Sequence, residues 1–193
     1  YHFFEALEWE SSISKNAADS LYTGMMTDTG GFRFSSTSPK THKVAAKLLE
    51  LGVKPHDIAT KLYDTNTGMR LKLLGRALDR MELIVDNKVA IMFLSADDLL
   101  ELGFKKGDTE GFVNYGLSVL GVKASIFASD KDGKIKMSFR SKGGFDVNTL
   151  ARTHFNGGGH KNAAGGISDL DLSETLDKVK EVLPLYKDEL LRE

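Results

Sequence analysis

The residues most suited to chemistry lie in three short stretches. The first is Gly157-Gly158-Gly159-His160, continued by Lys161-Asn162-Ala163-Ala164-Gly165-Gly166. Three consecutive glycines cost backbone entropy and bury no apolar surface, so they belong where the main chain bends sharply or approaches something closely. If a short helix begins near His160, its free N–H groups and the glycine amides form a nest for an anion, to which His160 adds a side-chain hydrogen bond. The alternative is a tight glycine turn with a solvent-facing histidine. The second stretch is Ser138-Phe139-Arg140-Ser141-Lys142-Gly143-Gly144. On an extended chain residues two apart share a face, so Arg140 and Lys142 could converge on one phosphate or carboxylate, or simply form a solvated basic strand end. The third is Asp28, between Thr27 and Thr29 and followed by Gly30. A carboxylate at a helix C-terminus is unfavourably placed against the helix dipole, which a hard divalent cation would relieve; an ordinary turn aspartate is the other reading. The remaining histidines, His2, His42, His56 and His154, show no paired metal spacing.

These residues need elements to hold them. Lys15 to Met26 reads as a helix capped by Ser14 and broken by Gly30-Gly31, and Phe32 to Ser35 alternates as a short strand or extended loop. Ser38-Pro39 opens a helix to Leu51, Pro55 opens another through Leu62, and Met69 to Met81 carries a stripe of Leu71, Leu74, Leu78 and Met81. From Glu82 the pattern turns β-rich: Glu82 to Val85 and Lys88 to Leu94 flank an Asp86-Asn87 turn, and Val122 to Ser129 and Lys134 to Arg140 flank Asp130 to Gly133. Ser95 to Leu102 and Val147 to Phe155 read as helices, and Ser173 as the cap of a last amphipathic helix interrupted at Pro184. Both segments therefore read as α/β.

Composition narrows the function. Against 26 Lys and Arg stand 27 Asp and Glu in 193 residues, so no blanket of positive charge grips nucleic acid and any affinity for phosphate must be local. The absence of cysteine excludes disulfides, thiolate metal sites and a thiol nucleophile, and makes the cytoplasm the expected compartment. No apolar run reaches the ~18 residues of a membrane helix. Tyr1 to Leu7 reads as the middle of a helix with no start methionine before it, which points to a missing upstream segment.

Leu21 to Phe34 around Thr27-Asp28-Thr29-Gly30, then Phe139-Arg140-Ser141-Lys142-Gly143, then Gly157-Gly158-Gly159-His160-Lys161-Asn162-Ala163-Ala164-Gly165 together resemble the DHH-family phosphoesterases. Within them the likeness is to the NrnA-type oligoribonucleases that also dephosphorylate 3'-phosphoadenosine 5'-phosphate. The resemblance implies an α/β fold: residues 1–66 as the helical end of a parallel-sheet DHH catalytic domain, 67–81 as a connecting helix, and 82–193 as a smaller substrate-binding domain with a mixed sheet. It implies a Mn2+ cluster that activates water against a phosphodiester, with Asp28 as a catalytic metal ligand. Arg140, Ser141, Lys142, Gly157, Gly158, Gly159 and His160 would bind the substrate, short RNA oligonucleotides or nucleotides. No Asp-His-His occurs in the chain, so most metal ligands would lie outside it and the chain alone would be inactive. An RNA- or nucleotide-binding module without catalysis, and a phosphatase of inorganic polyphosphate or pyrophosphate, are the competing expectations.

Overall fold

The computed structural model describes residues 1–34 and 36–192. The chain divides into two compact units, Tyr1–Asn66 and Thr67–Glu193.

In the first unit the described residues form only helices: α1 (His2–Ala6), α2 (Lys15–Asp28), α3 (Pro39–Glu50) and α4 (Pro55–Tyr63), with a 3-10 turn at Glu10–Ser12. Each start has a local cause. Ser14 accepts from the Ala17 amide, and Ser38 and Thr41 close a reciprocal capping box behind Pro39. Ala18, Tyr22 and Met26 of α2 pack with Val44, Ala45 and Leu48 of α3 and with Ile58 of α4. Neither the short strand nor the extended loop expected from Phe32 forms among the described residues. Phe32 sits at φ +65, and the amides of Arg33 and Phe34 both donate to the Thr29 carbonyl, which winds the chain into turns and leaves no ladder edge. Ser35, the last residue of that expected strand, lies outside the described residues. The described residues of this unit are thus helical, as the resemblance implied.

The second unit opens with α5 (Gly68–Asp79), capped by Thr67, and continues with β1 (Glu82–Ile84), β2 (Val89–Leu94), α6 (Ala96–Glu101), α7 (Val113–Leu117), β3 (Ala124–Lys131) and β4 (Lys134–Ser141). It closes with α8 (Val147–His154), β5 (Gly158–His160), β6 (Ala163–Ser168), α9 (Leu172–Val182), a 3-10 turn at Leu183–Tyr186 and α10 (Lys187–Leu191). The strands form one mixed sheet in the order β1-β2-β3-β4-β6-β5, in which only β2 and β3 are parallel. A parallel pair needs a long crossover, and α6 and α7 are carried by it. Both expected hairpins form, their turns marked by positive φ at Asp86, Asn87, Asp132 and Gly133.

Two cores flank the sheet. On one face Ile91, Ile126, Met137 and Phe139 pack with Leu150, Phe155, Val179 and Leu183 from α8, α9 and the turn after it. On the other, Met92, Leu94 and Phe127 pack with Phe112, Val113, Leu73 and Ala77. The inward edge of α5 therefore centres on Leu73 and Ala77, fully buried, while Leu71 of the expected stripe is 52% exposed. Leu74, Leu78 and Met81 pack at its margin. Leu71 and Leu73 differ by about 200° around a helix, so the packing partner, and not periodicity, chooses between them. The last long helix starts two residues before expectation: Asp171, not Ser173, caps it, because Asp171 and Glu174 can close a reciprocal box. No helix among the described residues is long and apolar enough to cross a membrane.

Candidate functional site

Strand β4 alternates strictly. Ile135, Met137, Phe139 and Ser141 are buried on the face backed by α8 and α9, and Lys134, Lys136, Ser138 and Arg140 occupy the other. The helices of the second core cover that other face over β2 and β3. Beyond them it opens into a cleft of about 580 Å³ lined by Arg140, Ser138, Lys136, Lys131, Thr109 and Gly165, among others.

Arg140 is half-buried in this cleft, and burial pulls its pKa below the ordinary arginine value. One guanidinium nitrogen, Nη1, donates to the Phe139 carbonyl at 2.9 Å, and no carboxylate pairs with Arg140 among the described residues. A partly desolvated cation without a counter-ion favours whatever anion can reach it. Ser125 on β3, Arg140 on β4, Ala163 on β6 and His160 on β5 are successive cross-strand partners, so one row of the sheet runs from Arg140 to an exposed His160 across the small side chain of Ala163. The adjacent row is Ser138, Gly165 and Gly158. Small residues between the cation and the imidazole leave a flat floor on which a ligand could lie.

The glycine run itself is built differently from a nest. No helix begins near His160. Instead Gly158–His160 is an edge strand paired with β6, the Gly157 amide donates to the Ala151 carbonyl at the end of α8, and the Gly159 amide donates to Asn148 Oδ1 at 2.9 Å. These amides are committed, so an anion here relies on side chains. The glycines are required by close approach: a Cβ at Gly157 would stand 2.1 Å from the Gly165 carbonyl oxygen, and one at Gly159 2.5 Å from that of Ala163.

Ser141 does not join Arg140. The buried Ser141 hydroxyl donates to the Phe145 carbonyl at 2.7 Å and accepts from Asn162 Nδ2 at 2.8 Å, on the opposite face of the strand. Lys142 is exposed and follows the last residue of β4. His154 bonds the Tyr186 hydroxyl at 2.9 Å, a packing contact.

Three contributors were not singled out in the sequence: Ser138, Asn148, which holds Gly159, and Arg152, whose guanidinium lies 3.4 Å from where a Gly158 side chain would start. Ser138 was signalled by the same alternation that linked Arg140 to Lys142, read backwards along the strand. The Asn148 and Arg152 pair carries the i, i+4 spacing of a helix face, and Arg152 Nε donates to Asn148 Oδ1 at 3.0 Å.

Asp28 belongs to the first unit. It is the last residue of α2, exposed, with no side-chain hydrogen bond or ion pair among the described residues, and it lines a cavity of about 560 Å³ together with Thr29, Ser20, Ser38, Lys40 and Thr41. A free carboxylate of this kind has the donor chemistry that a hard divalent cation takes. The described residues hold no group of three His, Cys, Asp or Glu side chains that could complete a metal site around it.

Residues 86–186 match the DHHA1 domain, and the chain belongs to this family. Its relatives are proteins of the DHH phosphoesterase type, as the three motifs led one to expect. The bifunctional oligoribonuclease and PAP phosphatase NrnA of Bacillus subtilis is 32% identical over 163 residues, covering 84% of this chain and 51% of that protein. The protein of the same name from Thermus thermophilus is 32% identical over 187 residues, covering 96% and 53%. Among solved structures, an exopolyphosphatase-related protein from Bacteroides fragilis matches with a TM-score of 0.96 and 38% identity, over 100% of this chain and 56% of that one. The chain spans about half the length of the curated relatives it matches.

Proposed function

We propose that the chain is the substrate-holding part of a DHH-family phosphoesterase that degrades very short RNA oligonucleotides to mononucleotides and dephosphorylates 3'-phosphoadenosine 5'-phosphate. In this reading residues 82–193 bind the substrate, 67–81 connect, and 1–66 form the end of a metal-binding catalytic domain. The observation that carries it is the half-buried Arg140 guanidinium, without a carboxylate partner among the described residues and in one sheet row with the exposed His160. Arg140 holds a phosphate through charge-assisted hydrogen bonds, and His160 orients the nucleotide from the edge strand. Gly158 and Gly159 keep that edge low enough for the ligand to approach, and Lys142 contributes a screened attraction at the rim.

The free carboxylate of Asp28 supports the enzyme over a binding module, since a module has no need of an unpaired aspartate at a helix end. We assign Mn2+ as the metal, with Asp28 as one oxygen ligand and the others outside this chain. Bound there, the metal supplies charge neutralisation for phosphoryl transfer. The cysteine-free sequence suits a cytoplasmic enzyme.

The test is turnover of a labelled dinucleotide with and without Mn2+, by the 193-residue chain and by a chain extended to the relatives' full length. The extended chain should release mononucleotides only with Mn2+, lose that activity on Asp28→Asn, and the shorter chain should release none. Comparable turnover by the 193-residue chain, or unchanged activity of the Asp28→Asn variant, would overturn the assignment.

A further inference from the structure

The cleft beside Arg140 continues along β4 to a second pair of cations that the account above does not use. Lys136 lies four residues from Arg140 on the same face, about 13 Å away at the rise of a strand. Its cross-strand partner is Ser129, and Lys131 lies two residues beyond Ser129 on the same face of β3. Both lysines line the cavity that holds Arg140.

Lys131 is fixed in place. Its Nζ donates to Thr109 Oγ1 at 2.8 Å and sits 4.5 Å from the centre of the Phe104 ring, which spends two of the ammonium's directions on the protein. Burial, and then the neighbouring charge of Lys136, hold its pKa below the ordinary lysine value. Two carboxylates, Asp132 and Glu110, act on it through space, and Glu110 lines the cleft, yet among the described residues neither forms an ion pair with Lys131 or Lys136. Lys134, the next residue of the alternating set, shows what a purely solubilising lysine does here: it pairs with Asp169 at 3.0 Å on the exposed surface. Two adjacent lysines without an ion-pair partner, one of them desolvated, repel each other unless an anion enters between them. The walls around them also include the exposed Ile167, an apolar group against which a ribose or base can rest.

We propose that Lys131 and Lys136 form a second phosphate subsite, so that the cleft takes a linear chain bearing at least two phosphates, one at Arg140 and one at the lysine pair. The inference rests on the reading of Arg140 as a phosphate ligand and adds a length preference to it. A nucleoside monophosphate held at Arg140 cannot span the distance to Lys136; a short oligonucleotide can, and so can an extended polyphosphate.

The experiment uses calorimetric titration of the 193-residue chain with three probes: a nucleoside monophosphate, a trinucleotide and inorganic tripolyphosphate. The variants are Lys136→Ala, whose side chain is exposed and not needed for the fold, Lys131→Met, which keeps the stem over Phe104, and Arg140→Ala. Lys136→Ala should weaken the trinucleotide roughly fivefold to tenfold and lower its salt slope by about 0.7, the release expected for one phosphate on a single strand, while leaving the monophosphate unchanged. Lys131→Met should act in the same direction. If tripolyphosphate alone shows the Lys136 dependence, the subsite stands and its chain is inorganic. Equal effects of Lys136→Ala on monophosphate and trinucleotide, or no effect on either longer probe, overturn the subsite while Arg140 dependence of the monophosphate keeps the primary reading intact. Loss of neither ligand on Arg140→Ala, or no binding at all, overturns both.

Discussion

The two faces of strand β4 teach opposite lessons about one stretch of sequence. Ile135, Met137 and Phe139 are sealed under α8 and α9, where each side chain contributes by leaving water. Lys136, Ser138 and Arg140, interleaved with them, line an open cleft on the other face, and there the unburied polar groups are free to meet a ligand. The division comes from the helices, because the crossover between β2 and β3 places its helices over those strands, while α8 and α9 follow β4 and take the opposite side. A binding face arises where the covering layer ends.

The sharpest way to break this comparison is on the sealed face. Phe139 is fully buried with its ring centre 5.4 Å from that of Phe155, so Phe139→Ala should cost about 3–5 kcal/mol in urea unfolding. The folded fraction should still bind a nucleoside monophosphate with native affinity. A loss of affinity with little loss of stability would mean that the two faces are not separable.

Ser141 sharpens the boundary, because resemblance places it among substrate ligands and geometry places it in the interior. Ser141→Ala removes the hydroxyl between Phe145 and Asn162 and should cost about 1–3 kcal/mol of stability with no change in mononucleotide affinity. A drop in affinity matching that of Arg140→Ala would restore Ser141 to the site. On the open face the expectation inverts. Arg140→Ala should leave the unfolding midpoint close to native and weaken mononucleotide binding roughly tenfold, the equivalent of about 1.4 kcal/mol, as read by calorimetry. His160→Ala should weaken it less.

The smallest effect concerns the helical layer on the same side of the sheet as the cleft. Asp98 of α6 is 3% exposed at its side chain and accepts from Arg76 and Arg80 of α5 and its C-terminus as well as from Ser95. Burial by itself would raise its pKa, but the Ser95 and Arg80 hydrogen bonds outweigh it and hold the carboxyl below 3.8. A depressed folded pKa means stability that is present above the ordinary carboxylate value and is lost as pH falls through the folded one. Wild type should therefore lose more stability than Asp98→Asn when unfolding is compared at pH 6 and at pH 3. Parallel losses would show that this network does not tie α5 and α6 together.

Much of the fold was legible because its signals are local. Ser14, Ser38-Pro39 and Ser95 cap the helices they were expected to cap, and Asp86-Asn87 and Asp132-Gly133 turn the two hairpins. What was not legible depends on partners. Leu73 rather than Leu71 faces inward because of what α5 packs on, and Phe32 turns because the Thr29 carbonyl captures two amides. The glycine run was marked as a close approach of main chain, and the structure shows that its Gly157 and Gly159 approach the neighbouring strand β6, a partner that spacing alone does not name. Arg140 and His160 were named from sequence, and the cross-strand row that joins them across Ala163 exists only through sheet order, which a sequence does not display.

The central claim, that the open face between Arg140 and His160 is where phosphate binds, is tested most directly by amide and side-chain chemical-shift mapping of the 193-residue chain titrated with a nucleoside monophosphate. The account predicts shifts that saturate together at Ser138, Arg140, His160, Ala163 and Gly165, with little change at Ile135 and Met137 on the sealed face. Saturable shifts centred elsewhere, or none in that row, would contradict it.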